Sequence, residues 1–97
     1  MKNNLENNTL TLYLEGEINS TNCDVVDADI DSVVNINKFK HLILDFTDLR
    51  YISSAGLRII IKLRQRFDDI SLLNVSEDVY NIFEMVGFTT MFNISKK

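Results

Sequence analysis

The feature that most constrains the fold is an alternation of short apolar runs with longer amphipathic segments, which is clearest in residues 41–66. Residues 42–46 form a short, mostly apolar run that is typical of a buried strand. From residue 55 to about 67 apolar side chains recur at helical spacing, and Arg58, Lys62 and Arg66 lie opposite them. This succession predicts a strand, a short loop and a helix, which is the repeating unit of an α/β fold.

The rest of the chain continues the same alternation. Residues 9–15 alternate between apolar and polar as in a half-buried strand, and Asn7-Asn8 before them favours a tight turn from a short first strand. The other predicted elements are helices over 22–35 and 77–86 and strands over 70–74 and 91–94. The order β-β-α-β-α-β-α-β predicts an α/β fold with a mostly parallel central sheet of about five strands, an N-terminal antiparallel hairpin and three or four helices.

Composition narrows the classes of function. The 97 residues suit a single domain spanning 1–97, of which 45% are hydrophobic and 25% charged. A net charge of −4 argues against a nucleic-acid partner, because nucleic acids select basic surfaces. No apolar run approaches the length of a membrane span, and the first residues lack a secretory leader pattern. We therefore expect a cytoplasmic protein with no membrane partner.

The residues offer little for metal or cofactor chemistry. Cys23 is the only cysteine and His41 the only histidine, so neither a disulfide nor a His or Cys metal cluster is expected. Asp45 and Asp48 could act as paired carboxylates or hold Mg²⁺, but we interpret them as loop and turn acids. No glycine-rich phosphate-binding motif is present, so no cofactor is predicted.

Two adjacent serines, Ser53 and Ser54, stand between the central strand and its helix. One reading is structural: a serine oxygen caps the helix by accepting one of its free N–H groups. The other is functional, because a helix N-terminus tolerates added negative charge and a phosphate there would change the surface that a partner meets. The residues by themselves leave both readings open.

Residues 51–57, Tyr-Ile-Ser-Ser-Ala-Gly-Leu, resemble the Asp-Ser-Ser-Gly-Leu signature of the STAS domain as found in bacterial anti-sigma factor antagonists. Four other segments resemble conserved landmarks of that family and occur in the same order along the chain: residues 14–18, 41–46, 73–76 and 86–88. Ser53 stands where the family has Asp, and Ala55 stands where it has its second Ser. The resemblance implies a partner switch in which the unmodified protein binds an anti-sigma factor and thereby frees a sigma factor. The anti-sigma factor would be a GHKL-type serine kinase that ends binding by phosphorylation, and a phosphatase would reset the cycle.

Carried over by position, the resemblance implies that Ser54 is the phosphorylated residue, with Ser53 as the alternative. The partner-binding residues that it implies are Glu15, Gly16, Asn19, Ser53, Ser54, Ala55, Gly56, Leu57 and Arg58. We therefore expect a regulatory binding protein and not an enzyme. An alternative is a STAS-type scaffold or sensor subunit in another regulatory assembly. An enzyme with a serine nucleophile is disfavoured, because the G-x-S-x-G motif is missing.

Overall fold

The predicted order of strands and helices is confirmed in a computed structural model, which describes residues 1–97. Its elements are β1 (Asn3–Glu6), β2 (Thr9–Ile18), α1 (Cys23–Val34), β3 (His41–Ile52), α2 (Ser54–Arg66), β4 (Ile70–Val75), α3 (Glu77–Met85), a 3₁₀ turn (Phe88–Thr90) and β5 (Asn93–Lys96).

The five strands lie in one sheet in the order β1-β2-β3-β4-β5. β1 and β2 form the expected antiparallel hairpin, whose turn residues Asn7 and Asn8 have φ values of 52° and 64°. All other neighbours are parallel. Each parallel connection moves one strand in the same direction, so right-handed crossovers place all three helices on one face of the sheet.

Burial follows this one-sided arrangement. Alternate strand residues such as Leu12, Leu44 and Leu72 are fully buried under the helices, whereas their neighbours Tyr13 and Leu73 are only half-buried. The core holds 23 buried hydrophobic side chains and no buried polar or charged residue. Stability therefore comes mainly from apolar burial on one face, and polar chemistry is confined to the edges and surfaces.

β2 and β3 are longer than predicted. β2 was expected to end at residue 15 and β3 at residue 46, but they continue to Ile18 and Ile52. Register shifts between Tyr13 and Glu15 and again after Gly16 insert extra residues, and Gly16 takes a φ of +74°. An extra residue in one strand moves the following side chains to the opposite face of the sheet. The alternation of apolar and polar residues is therefore interrupted, and the sequence pattern does not indicate that the strands continue.

Asp45 and Asp48 are consequently strand residues, and their interpretation as loop and turn acids is wrong. Asp45 accounts for part of the irregularity, because its Oδ1 accepts hydrogen bonds from the backbone N of Thr47 at 2.9 Å and from Thr47 Oγ1 at 2.6 Å. This local hydrogen bonding competes with the regular ladder and supports the bulge.

The last strand is displaced by two residues from its predicted position of 91–94. Phe92 is buried and packs on Phe88 with ring centroids 5.0 Å apart, so residues 91 and 92 connect the 3₁₀ turn to the sheet and β5 begins at Asn93. Lys97 N donates to Val75 O at 2.8 Å, so a backbone hydrogen bond joins the last residue to the end of β4.

Candidate functional site

The candidate site lies where the carboxyl ends of β2 and β3 meet. Ser53 N donates to Ile18 O at 2.8 Å, so the β2–α1 loop and the start of α2 are joined by a backbone hydrogen bond. The last register pair of the two strands is Ile18 with Ile52. The structure thus brings together the two segments of the predicted partner surface, Glu15 to Asn19 and Ser53 to Arg58.

The two serines have different environments. Ser53 is the N-cap residue of α2 with extended backbone, and its carbonyl oxygen accepts from Leu57 N at 3.0 Å. Its side chain makes no capping hydrogen bond, and its Oγ is buried without any hydrogen-bond partner. The structural reading, in which a serine oxygen caps the helix, therefore does not hold for Ser53. Ser54 is the first residue of α2 and its side chain is exposed.

Gly56 holds the start of α2 against the sheet. A Cβ on this residue would lie 2.6 Å from Cγ1 of Ile52 and 2.8 Å from Cγ2 of Ile18, closer than real Cβ contacts come. Gly56 is buried, and so is Leu57 with 8% exposure. These two predicted partner-binding residues therefore offer a partner little surface in this conformation. Their packing holds the start of α2, and with it Ser54, in place.

Two asparagines fix the loop between β2 and α1. Asn19 Oδ1 accepts from the backbone N of Thr21 at 2.9 Å and of Asn22 at 3.1 Å. Asn22 Oδ1 accepts in return from Asn19 N at 2.9 Å, and its Nδ2 donates to Glu17 O at 2.8 Å. This reciprocal arrangement satisfies backbone groups ahead of α1 in the manner of a capping box. The predicted partner residue Asn19 thus uses its side chain within its own loop.

Sequence reasoning missed a second part of the exposed surface. β1 pairs with β2 only up to Leu12, and β4 pairs with β3 only up to Asp45, so the last residues of β2 and β3 extend beyond the other strands. We call residues 15–18 and 48–52 the projecting strand pair. Its exposed side chains include Glu17, Arg50 and Tyr51. The sequence signal that could have indicated this surface is Tyr51, an aromatic residue in a polar stretch close to the serines. In the structure Tyr51 is 46% exposed.

Asp45 is committed to the fold rather than to a ligand. Besides the Thr47 groups, Asn74 Nδ2 donates to Asp45 Oδ2 at 3.0 Å. Partial burial acts to raise the pKa of Asp45, but the hydrogen bonds from Thr47 and Asn74 outweigh it and hold the pKa below its ordinary value. Both carboxylate oxygens therefore accept from protein donors. No group of three or more His, Cys, Asp and Glu side chains is placed to hold a metal ion.

The single histidine lies far from the serines. His41 begins β3 and pairs with Asp69, whereas Ser54 follows the other end of the same strand. A serine nucleophile needs a base within hydrogen-bond reach, and His41 cannot be that base for Ser54. None of the helices has the length and apolar character needed to cross a membrane.

Comparison with known proteins identifies the family. The family model described as the STAS domain matches residues 2–97. The chain belongs to the STAS domain family. This match confirms the resemblance seen in residues 51–57 and covers nearly the whole chain.

Several relatives of this STAS domain are named as anti-sigma factor antagonists. A candidate anti-sigma factor antagonist of Bordetella bronchiseptica, BtrV, is 33% identical in an alignment of 90 residues that covers 89% of this chain and 77% of BtrV. A solved candidate anti-sigma factor antagonist of Thermotoga maritima has 15% identity, covers 99% of this chain and 86% of its own, and superposes with a TM-score of 0.88.

The anti-sigma factor antagonist SpoIIAA of Bacillus has been solved in two forms. Its unphosphorylated form has 18% identity to this STAS domain and a TM-score of 0.78, with 99% of this chain and 88% of SpoIIAA covered. Its phosphorylated form has a TM-score of 0.66, with 99% and 93% covered. At these identities the two structures establish the shared fold.

Proposed function

We propose that this STAS domain is an anti-sigma factor antagonist, which binds an anti-sigma factor through the surface around Ser54 and is released when Ser54 is phosphorylated. The name of the relative BtrV supports the antagonist role. The existence of a phosphorylated form of SpoIIAA supports control by phosphorylation. The observation that carries the site is the contrast in access between two adjacent hydroxyls.

That contrast supports Ser54 over Ser53 as the phosphate acceptor. A kinase must bring the γ-phosphate in line with the attacking oxygen, so the hydroxyl has to be open to another protein. The Ser54 side chain is exposed at the first position of α2, whereas Ser53 Oγ is buried. Phosphorylation of Ser53 would first require the start of α2 to separate from the strand ends.

Phosphorylation at this position changes the surface more than the fold. A phosphate adds about −1.5 to −2 charges at neutral pH. At the N-terminus of a 13-residue helix such charge is favourable, so the domain stays folded. Glu15 and Glu17, near the end of the adjoining strand β2, are already exposed acids. A partner that buries the neutral hydroxyl would have to desolvate a dianion instead, which costs several kcal/mol where the charge is not matched, roughly a hundredfold in affinity.

The finer scheme follows the family resemblance. The partner is an anti-sigma factor that is itself a GHKL-type serine kinase, its capture frees a sigma factor in the cytoplasm, and a phosphatase removes the phosphate. In this scheme the STAS domain is a substrate and a binding partner and catalyses nothing itself. Its affinity for the kinase in the unmodified state is what activates transcription.

Phosphate transfer is tested with the purified domain, Mg-ATP and a GHKL-type anti-sigma factor kinase from the same genome. Intact mass should rise by one phosphate, and fragmentation should place it on Ser54. Ser53→Ala is the matched control and should be labelled like the wild type, whereas Ser54→Ala should stay unlabelled and still bind. Labelling of Ser54→Ala, or a phosphate mapped to Ser53, would contradict the assignment.

A further inference from the structure

Two ion pairs link α1 and α2 in register. Lys62 Nζ lies 2.6 Å from Asp27 Oδ2, and Arg66 Nη1 lies 2.7 Å from Asp31 Oδ1. Both pairs join residues that are 35 positions apart in the chain. Because the two members of each helix are four residues apart, successive pairs lie one helical turn further along both helices. We call this arrangement the helix ladder.

The ladder has a third position, and there the acid is missing. One turn towards the N-termini, Cys23 takes the place on α1 and Arg58 takes the place on α2, again 35 positions apart. Both side chains line the same groove between the helices. Cys23 lacks the carboxylate that is found at the other two positions. Arg58 is exposed and forms no ion pair, although the acidic residue Asp24 also lines the groove.

The unpaired guanidinium is next to the candidate phosphorylation site. Ser54 precedes Arg58 by four residues on α2, so the two side chains lie on one face of the helix. Helical side chains lean towards the N-terminus and cover the preceding turn, which directs the long Arg58 side chain over Ser54. We propose that Arg58 binds the phosphate of phosphorylated Ser54, an ion pair within α2 that uses the guanidinium which the helix ladder leaves unpaired. This inference rests on the proposed function and adds a phosphate-binding residue to it.

The chemistry of the two groups favours this pairing. A guanidinium donates two parallel hydrogen bonds to phosphate oxygens, which makes it a stronger partner than a single point charge. The first N–H groups of α2 are also without a side-chain cap, because the Ser53 hydroxyl does not accept from them. Phosphorylation would then change two groups that a partner could contact: the Ser54 hydroxyl would carry a phosphate, and the Arg58 guanidinium would be bound to that phosphate.

The test installs phosphoserine at position 54 during translation, so that no kinase is needed. The second pKa of the phosphate, about 6 in free phosphoserine, is measured by ³¹P NMR titration. It should be lower by about 0.3 to 1 unit when Arg58 is present than in Arg58→Gln, because the guanidinium favours the dianion. Arg64→Gln is the control of equal charge: Arg64 lies ten residues along, about 15 Å from Ser54, and its Nε donates to Met91 O. It should leave the phosphate pKa unchanged.

A second variant tests the ladder itself. Cys23→Asp places an acid opposite Arg58, which should occupy the guanidinium and move the phosphate pKa towards the Arg58→Gln value. Equal phosphate pKa values with and without Arg58, or an equal change in Arg64→Gln, would overturn the inference. Because phosphate is installed directly, this outcome is separable from the proposed function, which fails instead if the kinase does not label Ser54 or if the partner binds both forms equally.

Discussion

Replacing Gly56 by alanine should destabilise the domain, although alanine is the better helix former. The added Cβ would lie 2.6 Å from Ile52 Cγ1 and 2.8 Å from Ile18 Cγ2. Both atoms belong to buried β-branched side chains, which are stiff and cannot rotate away. The start of α2 must therefore move off the ends of β2 and β3.

The magnitude follows from two opposing effects. Overpacking of a tight core costs about 1–3 kcal/mol. Removing a glycine from a helix recovers at most about 1 kcal/mol, and less in the first turn. The expected net loss is about 1–2 kcal/mol, which for a domain of this size lowers the melting temperature by roughly 4–15 °C.

Urea unfolding followed by circular dichroism measures the loss, with calorimetry for the melting temperature. The double variant with Ile52→Ala provides the control, because it removes the Cγ1 atom nearest the new Cβ. Alone, Ile52→Ala should cost about 2–5 kcal/mol, and in that background Gly56→Ala should cost clearly less than in the wild type. A Gly56→Ala protein as stable as the wild type, or the same cost in both backgrounds, would refute the packing argument.

Three further outcomes are expected. Asp45→Asn should lower the free energy of unfolding by about 1–3 kcal/mol at pH 7, since it removes a charged acceptor. Because folding lowers the pKa of Asp45, the carboxylate contributes fully above its unfolded pKa of about 3.9 and progressively less as the pH falls below it. The urea midpoints of the two proteins should therefore approach each other as the pH falls below about 3.9, and a constant difference would contradict this. Phe83→Ala should cost about 3–5 kcal/mol in urea unfolding, because the ring is fully buried and edge-on to Phe46 at 5.5 Å; a loss under 1 kcal/mol would contradict this. Tyr51→Ala should weaken binding to the anti-sigma factor about tenfold by calorimetric titration with an unchanged melting temperature, and unchanged affinity would remove Tyr51 from the partner surface.

The order of elements could be predicted because each helix and most strands carry their own periodicity. The apolar stripe of residues 55–67 and the alternation of residues 9–15 are local patterns, and the fold follows from their order. The projecting strand pair could not be predicted in the same way. Its β3 half begins after the bulge that Asp45 and Thr47 support, where polar residues and a changed phase resemble a loop.

The candidate site, too, could be predicted from the sequence only in part. The position of Ser54 at a helix start could be predicted from the strand-loop-helix pattern, and its family from residues 51–57. The burial of Ser53 Oγ depends on how the start of α2 meets the end of β2, and the lack of an acid opposite Arg58 depends on how α1 and α2 lie against each other. Such contacts join residues 35 positions apart, and no local pattern encodes them.

The most direct test of the proposed switch compares two proteins that differ only by a phosphate on Ser54. Their dissociation constants for the anti-sigma factor are measured by calorimetric titration at physiological salt. The account predicts roughly a hundredfold weaker binding of the phosphorylated protein, with both forms equally folded. Equal affinities would show that the hydroxyl at the start of α2 is not where the partner detects charge.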